Sequence, residues 1–309
     1  MAGKPLDTGV VDPEQLSRIL ENPLELFVPV VTDMPLRDQR ETMERPFFSL
    51  GKKKRLQPIE YVSKDGSIWV KVTANLEYGM ATIWDADVLI WAASVIADKR
   101  DRRINDNPRE LHFSPYELLQ AIGRTIGGHQ YELLRDSLQR LQSTSVTTNI
   151  RAVGKRKDRQ FSWIENWKDL VDETTGESLG MSLTLSDWFY EGIMQKGGLL
   201  SIGPEYFKIS GGRERWLYRV ARKHAGGHQG EGFAISLPTM FEKSGAEGAY
   251  RRFKFELKKI AKANDLPEFH LAWEEPIKGE PHLRMTRRSM LAINHPCYEP
   301  PKRRATRRV

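Results

Sequence analysis

A repeat constrains this chain more than any other feature. Tyr131, Leu134, Leu138 and Leu141 match Tyr250, Phe253, Leu257 and Ile260, residue for residue, at a constant offset of 119. Spacings of three, four and three place each set on one face of a helix. Upstream, Leu111-His-Phe-Ser114 matches Phe233-Ala-Ile-Ser236 at an offset of 122, so the second connection is shorter by three. Both copies read as a short strand, a helix opened by serine with proline in its first turn, a glycine turn and an aromatic-led helix. Apolar spacing alone is common in helical proteins. The whole ordered set is not, and it is the element order of a winged helix.

The rest of the chain fits that plan. In the first half, a helix from Asp85 carries Val88, Leu89, Trp91, Ala92, Val95 and Ile96 on a broad apolar side. Ser114-Pro-Tyr-Glu117 is a capping box for the next helix, and the third runs from His129 or Gln130 to about Gln142. Val146–Arg151, a charged turn at Gly154–Gln160 and Phe161–Leu170 then read as a hairpin wing with a basic tip. Ser182–Leu185 is another strand, Asp187–Gln195 a short helix capped by Ser186, and Leu199–Ile202 and Tyr206–Ile209 are strand-like. In the second half the helix Arg213–His224 precedes the strand at Phe233, and a hairpin of Phe269–Trp273 with Leu283–Thr286 follows Gly248–Asn264. Ile59–Val62 and Ser67–Val72 form a small β element. Proline-rich residues 1–46 carry nine acids against five bases and read as an extended arm with a short helix at Asp12-Pro13.

The expected fold is therefore α+β: two tandem winged-helix domains with a small N-terminal β element and extended arms. The expected division is an acidic N-terminal arm (1–46), a first winged-helix domain with the β element (47–186), a second winged-helix domain (187–290) and a basic C-terminal tail (291–309).

Charge points to the ligand. The formal net charge is +7. Residues 284–309 hold eight bases and one acid, and the remaining bases and acids balance. Basic character in the body is thus local, and it is densest in Gly248–Asn264, where six bases accompany one acid. A helix with one core face and one basic face fits a helix laid against nucleic acid. Arg251 and Arg252, near its start, are the candidate base readers, because arginine reads guanine with two hydrogen bonds. Lys254, Lys258 and Lys259 are candidate phosphate contacts. Phe255 lies in the basic arc, either facing a thymine methyl or shielded by lysine stems. In the first copy the candidates are His129, Gln130, Arg135 and Arg140, weakened by Glu132 and Asp136. The turn offers Lys155, Arg156, Lys157 and Arg159, the second hairpin only Lys278 beside Glu280, and the tail Arg287 and Arg288.

Other chemistry finds little support. Gly226–Gly232 is glycine-rich but has no Gly-Lys-Ser/Thr, so it is not a phosphate loop. Gly226-Gly227 separates His224 from His228, which does not suit a helical metal pair, and no His-x-His exists for a nicking enzyme. No catalytic residue, metal or cofactor is expected. One cysteine, Cys297, permits no internal disulfide, and no apolar run reaches membrane-span length. A cytoplasmic protein without membrane association is expected.

Gly79-Met-Ala-Thr-Ile-Trp-Asp-Ala-Asp-Val-Leu-Ile-Trp91, Phe113-Ser-Pro-Tyr116, Gly127-Gly128, the helix Tyr131–Leu141 and Tyr250-Arg-Arg-Phe253 together resemble the bacterial plasmid replication initiator family known as replication initiator protein A. The resemblance spans roughly Phe47 to Arg288. More distantly, the chain is similar to tandem winged-helix initiators of iteron plasmids. That resemblance implies binding to repeated origin sequences in double-stranded plasmid DNA and local opening of the duplex. It also implies recruitment of the host initiator DnaA and the replicative helicase, and a DNA-binding monomer alongside a homodimer. A winged-helix transcription regulator, autoregulatory or not, and a DNA-nicking initiator are the alternatives.

Overall fold

The computed structural model describes residues 34–103, 108–152, 157–171, 174, 178–226 and 231–301. The helix expected at Asp12-Pro13 and the tail from Lys302 lie outside them. The chain opens with β1 (Arg37–Gln39), then the hairpin β2 (Ile59–Val62) and β3 (Trp69–Thr73), then α1 (Ala86–Asp101), whose residues 86–97 are all buried. The first repeat continues with β4 (Glu110–Phe113), α2 (Pro115–Ala121) and α3 (Gly128–Ser143). Four strands follow: β5 (Ser145–Thr148), β6 (Arg159–Phe161), β7 (Ile164–Val171) and β8 (Ser178–Leu185). Next come α4 (Asp187–Met194), packed on α1 and β1, and β9 (Leu199–Ser201), paired with β1. The second repeat is α5 (Gly212–His224), β10 (Phe233–Ser236), α6 (Leu237–Ser244), α7 (Tyr250–Ala263), β11 (Phe269–Glu274) and β12 (His282–Arg287).

The repeat is physical as well as sequential. Each copy has a three-stranded antiparallel sheet in which the short strand pairs with the last strand of the wing: β4–β8–β7 in the first, β10–β12–β11 in the second. Leu111 faces Leu183 across the first sheet, and Ile235 faces Leu283 across the second. On α3, Leu134, Leu138 and Leu141 are fully buried; on α7, Phe253 and Leu257 are buried, with Tyr131, Tyr250 and Ile260 half-buried against the same core. This is the winged-helix topology twice over, in a mixed α and β chain.

The first wing is not the hairpin expected from the sequence. β5 and β6 pair with each other, but β5 also pairs with β3, giving a separate sheet β2–β3–β5–β6. The wing is β7–β8 instead. The described residues 145–152 and 157–162 are thus an excursion from the recognition helix to the N-terminal β element. The chain then returns to where it left: the Trp163 backbone N–H donates to the Leu141 carbonyl at 3.1 Å, and the buried Trp163 ring stacks on Phe48 at 4.6 Å. Of the basic turn expected at Gly154–Gln160, the described residues 157–160 therefore belong to the excursion.

Two further expectations change. Residues 37–46 are no peripheral arm, because Asp38, Gln39, Thr42, Met43 and Glu44 are buried. Tyr206–Ile209 is not a strand; Pro204–Lys208 forms a 3-10 turn that Pro204 opens, with Tyr206 buried against Tyr218 and beneath the Arg215 guanidinium. Polar clusters join the second repeat to the first and to the segment before it. Arg215 of α5 donates to Asp87 of α1 at 2.6 Å, and Lys223, His224 and Lys243 surround Glu44 at 2.6–2.7 Å. Gly245, left-handed at φ 59°, ends α6 where a Cβ would lie 2.6 Å from Pro46, and its carbonyl accepts from Arg55 at 2.6 Å. Only glycine combines that backbone with that approach.

Candidate nucleic-acid interface

α7 is helical because its interior lacks glycine and proline and is rich in strong helix formers. It stops at Asn264, left-handed at φ 55°, whose Oδ1 accepts from the Leu271 N–H at 2.9 Å. Arg288 closes that end. Its Nη2 donates to the Asn264 carbonyl at 2.5 Å, setting a cation where the helix dipole favours one. With a side chain only 12% exposed, Arg288 is a cap, not the DNA contact expected from the sequence. Arg287 is half-buried, 3.6 Å from Glu268.

The outer face of α7 presents Arg251, Arg252, Phe255, Lys258, Lys259 and Lys262. Their partners divide them. Arg252 bonds Glu256 at 2.9 Å, one turn on. Lys254 Nζ lies 3.0 Å from Glu280 and Lys258 Nζ 2.8 Å from Glu275, both acids belonging to the segment joining β11 to β12. Burial opposes ionisation of both acids only weakly; hydrogen bonds from Lys258 and Trp273 lower Glu275, and those from Lys254 and Tyr250 lower Glu280, so both are anionic at neutral pH. Arg251 is exposed and has no ion pair or side-chain hydrogen bond among the described residues. Lys259 sits 5.4 Å over the Phe255 ring, which is itself 63% exposed. Phe255 is therefore part of the surface, not covered by it.

α3 presents a weaker face. Gly127 and Gly128 open it, His129 is exposed and Gln130 is half-exposed with no side-chain hydrogen bond among the described residues. Arg135 is exposed but reaches Asp169 on β7, Nε to Oδ2 at 2.9 Å. Arg140 fails as a DNA candidate: its guanidinium makes two 2.8 Å bonds to the buried Asp85 and faces inward. Burial would lower Arg140, but the Asp85 carboxylate outweighs it and raises it. Lys155 and Arg156 lie outside the described residues. Lys157 is exposed beside β6, and Arg159 pairs with Glu191. The loop between β7 and β8 also lies outside them, save Thr174.

Sequence reasoning missed Asp169, Glu275 and Glu280 as partners of the basic positions. The only signal was their place in the hairpins that follow each recognition helix; Glu280 was expected to balance Lys278. No group of three or more His, Cys, Asp or Glu side chains converges to hold a metal among the described residues, and none of the described helices is long and apolar enough to cross a membrane.

Comparison with known proteins supplies the family. The family model "Replication initiator protein A" matches residues 37–271. A protein of Wigglesworthia glossinidia brevipalpis named "Putative replication protein" is 31% identical over 240 residues, spanning 77% of this chain and 84% of that protein. Among solved structures, domains 2 and 3 of RctB superpose with a TM-score of 0.54 at 16% identity, over 79% of this chain and 96% of that one. The last likeness is one of fold. The chain belongs to the replication initiator protein A family.

Proposed function

We propose that this replication initiator protein A family member binds repeated origin sequences of the plasmid that encodes it. In this reading α7 and α3 enter successive major grooves, about 34–36 Å apart, on one DNA face. The observation that carries the reading is the face of α7: a winged-helix recognition helix whose outer side holds Arg251 unpaired among exposed cations. Arg251 is the base reader, with Arg252 second because Glu256 already engages it. Lys259 and Lys262 contact phosphates, with Lys254 and Lys258 released from their acids on the correct site. Gln130 and Arg135 serve the weaker α3, Lys155, Arg156 and Lys157 contact the phosphate backbone, and Arg287 lies at the edge.

One chain with two unlike helices reads a directional site, not a palindrome. The protein opens the duplex and recruits DnaA and the replicative helicase without itself catalysing a reaction, and a homodimer is its second state; these steps rest on the family resemblance alone. So does a cytoplasmic location. The domain division at residues 186 and 290 is likewise ours. The test is plasmid maintenance: the chain, supplied with its origin fragment, sustains replication, and Arg251→Ala abolishes it. Intact origin binding without replication points instead to a transcription regulator. A site-specific nick in supercoiled origin DNA with divalent metal points to a nicking initiator.

A further inference from the structure

The offset of 119 that aligns the recognition helices carries Arg135 onto Lys254. Both side chains meet a carboxylate from their own wing: Arg135 meets Asp169, and Lys254 meets Glu280. A turn further along α7, Lys258 meets Glu275. Each acid on the second wing is held twice, Glu280 by Tyr250 Oη at 2.8 Å and Glu275 by Trp273 Nε1 at 2.9 Å. These contacts hold the acids against the recognition helix while leaving them in solvent, with Glu275 and Glu280 side chains 61% and 46% exposed. Nothing about the core requires them, because no buried group is satisfied by either lysine pair. They instead set negative charge on the face where phosphates would lie.

We propose that Asp169, Glu275 and Glu280 are specificity-determining carboxylates that withhold Arg135, Lys254 and Lys258 from DNA of the wrong sequence. The proposal rests on the DNA-binding reading above. On an arbitrary duplex the pairs stay closed, since opening one brings a freed carboxylate beside phosphates. The two lysine pairs are exposed and therefore weak, and in the third Arg135 is 49% exposed although Asp169 is only 13% exposed, so base contacts made on the correct site suffice to draw the cations away. The carboxylates are thus the repulsive element that specificity needs alongside attraction. The same device in both repeats, at equivalent helix positions, argues against an accidental surface pairing.

The experiment compares the full chain with the double variant Glu275→Gln/Glu280→Gln and with Asp169→Asn, by fluorescence anisotropy across a salt series. One duplex carries the origin repeats and the other a random sequence. Glutamine keeps an acceptor for Trp273 and Tyr250 but loses the charge. The double variant binds the random duplex about tenfold more tightly at low salt, and its log–log salt slope steepens by about 2, near 0.9 for each phosphate gained. Asp169→Asn steepens it by about 1. The ratio of origin to random affinity falls in both. Unchanged or weaker binding of the random duplex by folded variants overturns the proposal. Failure of the unaltered chain to bind either duplex is a different result: it removes the DNA-binding reading itself.

Discussion

Arg219 on α5 and Asp38 on β1 form a two-point ion pair, Nε to Oδ2 at 2.6 Å and Nη2 to Oδ1 at 3.0 Å, with both side chains buried. Thr42 Oγ1 takes a further bond from Nη2 at 2.7 Å. The pair ties the second repeat to a segment that precedes the first. Truncating one partner leaves the other charge buried and unpaired. Asp38→Ala is expected to cost about 3–5 kcal/mol, read as a lower urea midpoint. A loss under 1 kcal/mol contradicts the buried-pair account.

That pair also marks the limit of what the sequence could reveal. The two recognition helices were legible because a 3.6-residue period and a repeat are local patterns. The excursion of β5 and β6 was not. A strand's partner is a long-range choice, and Val146 pairs as well in principle with Phe161 alone as with Val72 and Phe161 together. Nor was the burial of Asp38 and Glu44, since a charged, proline-flanked stretch reads as an arm until its partners, some 180 residues away, are in place. At the interface, exposed positions on α7 followed from the helical period. Whether a cation was free or paired depended on a hairpin folded back from later in the chain.

Glu44 predicts an acid sensitivity. Burial raises its carboxyl, but hydrogen bonds from His224, Lys223 and Lys243 and the Lys223 charge outweigh that and hold it far below the usual carboxylate range. A depressed folded value means the unfolded chain takes up the proton first. The contribution is complete above the unfolded value, about 4.3, and is lost progressively as pH falls below it. Urea midpoints measured from pH 7 to pH 3 should drop, and Glu44→Gln should flatten that drop while lowering stability at pH 7. An equally steep drop in the variant would assign the acid sensitivity to other carboxylates.

Arg140 separates stability from binding. Because its guanidinium bonds Asp85 and not DNA, Arg140→Ala should destabilise the fold by about 2–3 kcal/mol, below the fully buried range because the side chain is 23% exposed. Origin affinity at a temperature where the variant stays folded should be unchanged. A stable variant that binds DNA poorly would return Arg140 to the interface.

The paired and unpaired cations of α7 should behave differently. Arg251→Ala is expected to cost about 1–3 kcal/mol on the origin repeat and to blur preference at one base. Lys259→Ala should weaken origin and random duplexes alike and reduce the salt slope by about 1. Equal losses for Arg251→Ala on every sequence, measured by competition with single-base variants of the repeat, remove it from base reading.

The most direct test of the account is guanine methylation interference on an origin repeat bound by the full chain. Two tandem recognition helices predict two clusters of interfering guanines on one face of the duplex, about 10–10.5 base pairs apart. The cluster read by α7 should disappear in Arg251→Ala while the other persists. A single cluster, or two clusters both indifferent to Arg251, would contradict the reading of this chain as two winged helices on successive grooves.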